Sequence, residues 1–157
     1  MEQPVIHSSF VIEKRYPAPP ERVFEAFSRE DQKRRWYADR EGQDLTEFRS
    51  DFRVGGDSVL RFNLGPETPF EGVEIANREH YHDIVPDQRI VSAASMTLGG
   101  KLISVALVTI ELVPTEAGTD LVCTHQGIFY EGSGGPEMRE HGWRVLFDRL
   151  AAILPGA

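Results

Sequence analysis

The sequence predicts an α+β domain in which a curved antiparallel sheet of six or seven strands wraps a long C-terminal helix. Three observations carry that prediction. Strand-like segments recur between Phe48 and Phe129, separated by turns marked with glycine and proline. Met138, Gly142, Leu146 and Leu150 return at four-residue steps near the end of the chain, the spacing of one helix face. Between the first strand and the others lie two short helical patterns.

The elements follow in order. From Ser9 to Tyr16, Phe10, Ile12 and Tyr16 share one face and Glu13 and Arg15 the other, which is a strand. Pro17, Pro19 and Pro20 stop it, and Pro20 fits the first turn of a helix, where a missing N–H costs nothing. Val23, Phe24 and Phe27 give that helix its buried stripe. Ser28 breaks it, and a second short helix runs from Arg29 to about Trp36-Tyr37. Residues 38–46 are polar and read as loop. Phe48–Arg53 and Ser58–Asn63 are strands joined at Gly55-Gly56. Strand character returns from Phe70 to Val85 and from Arg89 to Thr97, and Gly99-Gly100 turns the chain. Leu102–Val113, dense in Val and Ile, is the strongest strand, and Thr119–Phe129 pairs back after a turn at Pro114–Gly118. A Gly/Ser/Pro loop at Glu131–Pro136 leads into the helix, expected from Pro136 to Leu154. The helix is the only element long enough to cover one face of the sheet, and a strongly curved sheet around it leaves space between the two.

With 157 residues and no linker, the chain reads as one domain over 1–157. The net charge of −8 disfavours a nucleic-acid partner. The lone Cys123 excludes an intramolecular disulfide framework and a multi-cysteine zinc site. No apolar window spans a bilayer and no signal-peptide pattern opens the sequence, so a cytoplasmic location and no membrane partner are expected. The basic run Lys33-Arg34-Arg35 reads as a solvated helix face.

The segment Tyr16-Pro17-Ala18-Pro19-Pro20-Glu21-Arg22-Val23-Phe24-Glu25-Ala26-Phe27 resembles the opening of the heat-shock-protein ATPase activator homologues. Arg35-Trp36, Asp51-Phe52-Arg53-Val54-Gly55-Gly56 and Ile84-Val85-Pro86-Asp87-Gln88-Arg89-Ile90-Val91 are similar to the motifs that follow in that family. Gly118-Thr119, Gly142-Trp143 and Asp148-Arg149-Leu150-Ala151 complete the pattern, which covers about residues 8–154. The family is a branch of the START-like, or SRPBCC, superfamily, and this branch also includes a calicheamicin-binding self-resistance protein. The resemblance implies the helix-grip fold and a cavity, not a reaction. Members of the superfamily bind lipids, polyketides, plant hormones or drugs, and some are cyclases or hydroxylase components.

Strand alternation turns Ser104, Ala106, Val108, Ile110 and Leu112 inward and puts Leu121, Cys123 and His125 on one face. His80 and His82 share a face with Ile84. An apolar pocket with a few polar groups is the usual form of a small-molecule site. Its expected lining is Trp36, Phe62, Phe129, Met138 and Trp143, with His80, His82 and His125 orienting the ligand. Gly142 removes a side chain from the helix face, which signals a gap or a close backbone approach. His80-x-His82 has chelating spacing and His125 offers a third ligand, but no carboxylate completes the set; neither a metal nor another cofactor is expected. Cys123, mid-strand among apolar residues, reads as inert.

The leading expectation is a protein that binds a small hydrophobic or amphipathic molecule, admitted by movement of the Glu131–Pro136 loop. The first alternative is an enzyme of the polyketide cyclase or dehydratase kind, with His125 as acid/base. The second is a co-chaperone that activates a heat-shock ATPase. A homodimer is compatible with the sequence.

Overall fold

The computed structural model describes residues 4–40 and 42–154. Strand β1 is Val5–Tyr16, followed by helix α1, Pro20–Ser28, helix α2, Glu30–Lys33, and a π-helical turn, Arg34–Ala38. Six strands come next: β2 Asp44–Ser50, β3 Asp57–Asn63, β4 Glu74–Val85, β5 Arg89–Leu98, β6 Lys101–Thr115 and β7 Gly118–Tyr130. Helix α3, Gly135–Ala152, follows. The seven strands form one antiparallel sheet in the order β1-β7-β6-β5-β4-β3-β2. The expected helix-grip architecture is the one observed. Boundaries differ by a few residues; the 70–73 stretch is turn rather than strand, and β2 begins earlier, within the expected loop.

The core lies between the inner face of the sheet and the helices. Ile12, Tyr16, Ile110, Leu112, Leu121 and Cys123 meet Leu146, Phe147 and Leu150 of α3 in one buried cluster. The Tyr16 hydroxyl donates to the Phe147 carbonyl at 2.9 Å, Lys14 pairs with Asp148, and Arg22 donates to the Ile153 carbonyl at 2.9 Å. These bonds fasten the C-terminal half of α3 to β1 and α1. The N-terminal half carries no buried side chain; the first along the helix is Leu146, in the second half.

Two local details explain residues in the sequence motifs. Gly118 has φ +145°, and a Cβ there would lie 2.2 Å from the Tyr16 carbonyl oxygen, so no larger residue fits. Its neighbour Thr119 donates to the Ala18 carbonyl at 2.6 Å, tying β7 to the turn after β1. Trp36 is 1 % exposed, and its indole N–H donates at 2.8 Å to the Ala26 carbonyl, one of the last-turn carbonyls that α1 itself leaves unpaired. Among the described residues, no helix is long and apolar enough to cross a membrane.

Candidate functional site

A cavity of about 490 Å³ lies between the sheet and the N-terminal half of α3. Volumes of roughly 300–1,000 Å³ are typical of small-molecule sites. The sheet contributes Leu60 and Phe62 from β3, Ile75 and Asn77 from β4, Ala94 and Met96 from β5, Val108 from β6 and His125 from β7. The helix contributes Met138, Arg139, Gly142, Trp143 and Leu146, and Tyr37 closes one side. The remaining walls are the loop after β3 and the loop Gly132–Gly134. Phe70 on the first loop and Met138 at the start of α3 are exposed, which puts the opening between them.

Gly142 explains part of the space. A Cβ built there would meet nothing within 4 Å, so the glycine marks a gap and not a close backbone approach. Ser104 and Ala106 point inward but do not line the cavity; Ala94 and Ser95 on β5 are small residues that do.

The expected site residues separate into three groups. Phe62, His125, Met138 and Trp143 line the cavity together. Trp36 and Phe129 are buried outside its lining, Trp36 in the core and Phe129 stacked on His125 at 5.8 Å between ring centroids. His80 and His82 stand on the outer face. There the His80 ring nitrogen Nδ1 lies 2.6 Å from Asp57, whose carboxyl that hydrogen bond holds below its ordinary pKa. The physical reason is a bulge in β4 between Tyr81 and Asp83. Inward parity runs Ile75, Asn77, Glu79, Tyr81; the extra residue at His82 resets it, so Ile84 packs toward the core although His80 and His82 do not. His125 is also three strands away from β4, so the three histidines do not converge.

His125 is 1 % exposed and sandwiched between rings. Phe10, its register partner on β1, stacks on it at 4.6 Å with only 7° between the planes. Its Nδ1 has no hydrogen-bond partner among the described residues. Burial, with help from the nearby Arg139 charge, pushes its pKa down to about 4, so the ring is neutral at pH 7. Asn77 donates to the Tyr37 hydroxyl at 3.0 Å, and its own Oδ1 is likewise unpartnered. Cys123 lies in the core beside this region, and burial pushes its thiol up to about 12.

The basic run corrects the expectation of a solvated face at its first residue. Lys33 is 3 % exposed. Its ammonium donates to Glu79 Oε1 at 2.7 Å, to the Tyr81 hydroxyl at 3.0 Å and to Ser58 Oγ at 3.2 Å. Ser92 donates to the other Glu79 oxygen at 3.3 Å, and the ammonium also lies 4.6 Å from the centre of the Tyr37 ring. Burial alone would lower the Lys33 pKa; the adjacent Glu79 carboxylate outweighs it and holds the group protonated. A signal for the pair exists in the sequence: Lys33 precedes Trp36 and Tyr37 by one helical turn, and Glu79 shares parity with Ile75 and Tyr81.

The sequence profile described as Activator of Hsp90 ATPase homolog 1-like protein matches residues 17–155. The chain belongs to that family. Solved structures carry the same fold. An uncharacterized protein from Rhizobium leguminosarum is 33% identical, with a TM-score of 0.88 over 98% of this chain and 98% of its own. The Mll3558 protein from Rhizobium loti is 45% identical, with a TM-score of 0.84 over 95% of this chain and 98% of its own. Protein CV1439 from Chromobacterium violaceum is 26% identical, with a TM-score of 0.77 over 95% and 99%. Among curated proteins, none matches this sequence. In this member of the family, the motif Gly142-Trp143 belongs to the cavity, and Gly118-Thr119 to the turn that locks β7 against β1.

Proposed function

We propose that this chain binds a small hydrophobic or amphipathic molecule in the cavity between the sheet and α3. The observation that carries the reading is the cavity itself: about 490 Å³, with most of its wall apolar and a handful of polar groups projecting into it. Burial of a guest's apolar surface supplies affinity at roughly 25 cal/mol per Å², less the cost of ordering guest and loops. Gly132, Gly134 and Gly135, all with positive φ, give the β7–α3 loop the freedom to admit the guest. His125 orients the guest in this reading. A base whose pKa sits near 4 takes a proton poorly at neutral pH, which favours binding over acid/base catalysis at this residue.

Titration with Nile red tests the proposal. One dye per chain is expected to bind with enhanced, blue-shifted emission, and native mass spectrometry of freshly purified protein should show a one-to-one adduct. Failure of the dye and of every apolar guest to bind would overturn the reading. Replacing His125 with Ala is expected to preserve most of the dye affinity.

A further inference from the structure

Most arginines of this chain meet carboxylates: Arg61 contacts both Glu47 and Glu74, Arg89 contacts Asp83, and Arg144 contacts Glu140. Arg139, in the cavity wall on α3, forms no ion pair among the described residues, although the chain has 25 acidic residues. Its polar contact is the thioether of Met96 at 3.2 Å, a weak acceptor, and its guanidinium carbon lies 5.4 Å from the centre of the Phe129 ring. His125 stacks on that same Phe129 ring and lines the same cavity, and its buried Nδ1 has no hydrogen-bond partner among the described residues. A guanidinium and an imidazole of the cavity wall thus both pack on one buried ring, Phe129, just behind that wall.

We infer that the guest is an apolar molecule bearing a carboxylate or similar oxyanion, seated with its acidic group between Arg139 and His125. The inference rests on the ligand-binding reading and adds the charge of the ligand to it. An oxyanion accepts two N–H bonds from the planar guanidinium, and the neutral imidazole donates a third from Nδ1 in the tautomer that carries its proton there. His125 is buried and Arg139 half-buried with no carboxylate beside it among the described residues, so an incoming anion supplies the charge-assisted hydrogen bonds that the fold does not. Burial lowers the Arg139 pKa from its ordinary value, in keeping with a cation short of compensation. Among the described lining residues the sole carboxylate, Glu67, lies against Gly42 and Gly65. Arg40, the second guanidinium of the wall, lies over Phe62 at 5.4 Å and also borders an open surface groove with Arg34, Asp39 and Arg149. Asp39 there pairs with Arg34, and of the two guanidiniums it is Arg139 that shares the Phe129 ring with His125, so Arg139 is the seat that can hold an anion jointly with that histidine.

The test is displacement of Nile red from the full chain by matched pairs below their micellar range: dodecanoate against dodecanol, and naphthoate against naphthylmethanol. In at least one pair the acid is expected to displace the dye at a concentration about tenfold or more below its alcohol, as charge-assisted hydrogen bonds predict. The pair that responds tells an alkyl acid from an aryl acid. Arg139→Met should bring the acid to the level of the alcohol and leave the alcohol unchanged, while Arg40→Met keeps the preference. If dye and alcohols bind but the wild-type protein shows no acid preference, the charge inference is overturned and the cavity reading stands. Persistence of the preference in Arg139→Met, or its loss in Arg40→Met alone, overturns the assigned seat. If nothing displaces the dye because nothing binds, the cavity reading itself has failed.

Discussion

Two single residues carry consequences out of proportion to their number. His125 has a pKa near 6.5 in an unfolded chain and about 4 in this fold. The unfolded state therefore takes up a proton first as the solution is acidified. Stability from this site is complete above about pH 6.5 and is lost as pH falls toward 4, by at most about 3 kcal/mol. Replacing His125 with Phe keeps the stack with Phe10 and Phe129 and removes the titration. Urea unfolding of both proteins between pH 7 and pH 4 checks this: the wild-type advantage should shrink on acidification, and a constant difference would show that the ring protonates freely in the fold. Lys33 makes the opposite kind of demand, a charge that must stay. Lys33→Met should cost about 3–5 kcal/mol, because the Glu79 carboxylate is left buried without its cation. The double replacement Lys33→Met with Glu79→Leu should recover most of that loss in thermal unfolding; a double variant as unstable as the single one would refute the pairing argument.

At the scale of elements, α3 is divided by task. Its second half buries Leu146, Phe147 and Leu150 against the sheet, and its first half stands over the cavity with Gly142 facing open space. Gly142→Leu should therefore raise helix stability by up to about 1 kcal/mol while lowering Nile red affinity about tenfold or more, since the new side chain occupies guest volume. Unfolding midpoints and dye titration on the same variant measure the two effects, and a gain in stability with undiminished binding would show that the guest sits elsewhere. The element order and the inward face of β6 were legible in the sequence because alternation and turn residues repeat cleanly there. The face of β4 was not. Strict alternation puts Ile84 on one face with His80 and His82, and a bulge at His82 reverses the parity between Ile84 and His80. Periodicity cannot show a bulge, since one extra residue leaves composition untouched. Lys33 is hidden for a related reason: its charge is compensated by Glu79, 46 positions later, and although helix spacing and strand parity turn each residue inward, no local window joins the two.

Across the whole molecule, the sheet is finished by its oldest and youngest strands. The β1 strand pairs with β7 and no other, along twelve residues from Val5↔Tyr130 to Tyr16↔Thr119. As the ribosome delivers the chain, β1 emerges first and waits with its edge unpaired until about residue 130 has cleared the exit tunnel. The loop so closed exceeds a hundred residues, and long-range pairing of this kind is slow and exposed to aggregation. Nascent chains arrested before β7 should stay sensitive to protease, and resistance should arise in one step once β7 is free. A protease-resistant product from a chain stopped after β6 would show that the meander can close without its last strand.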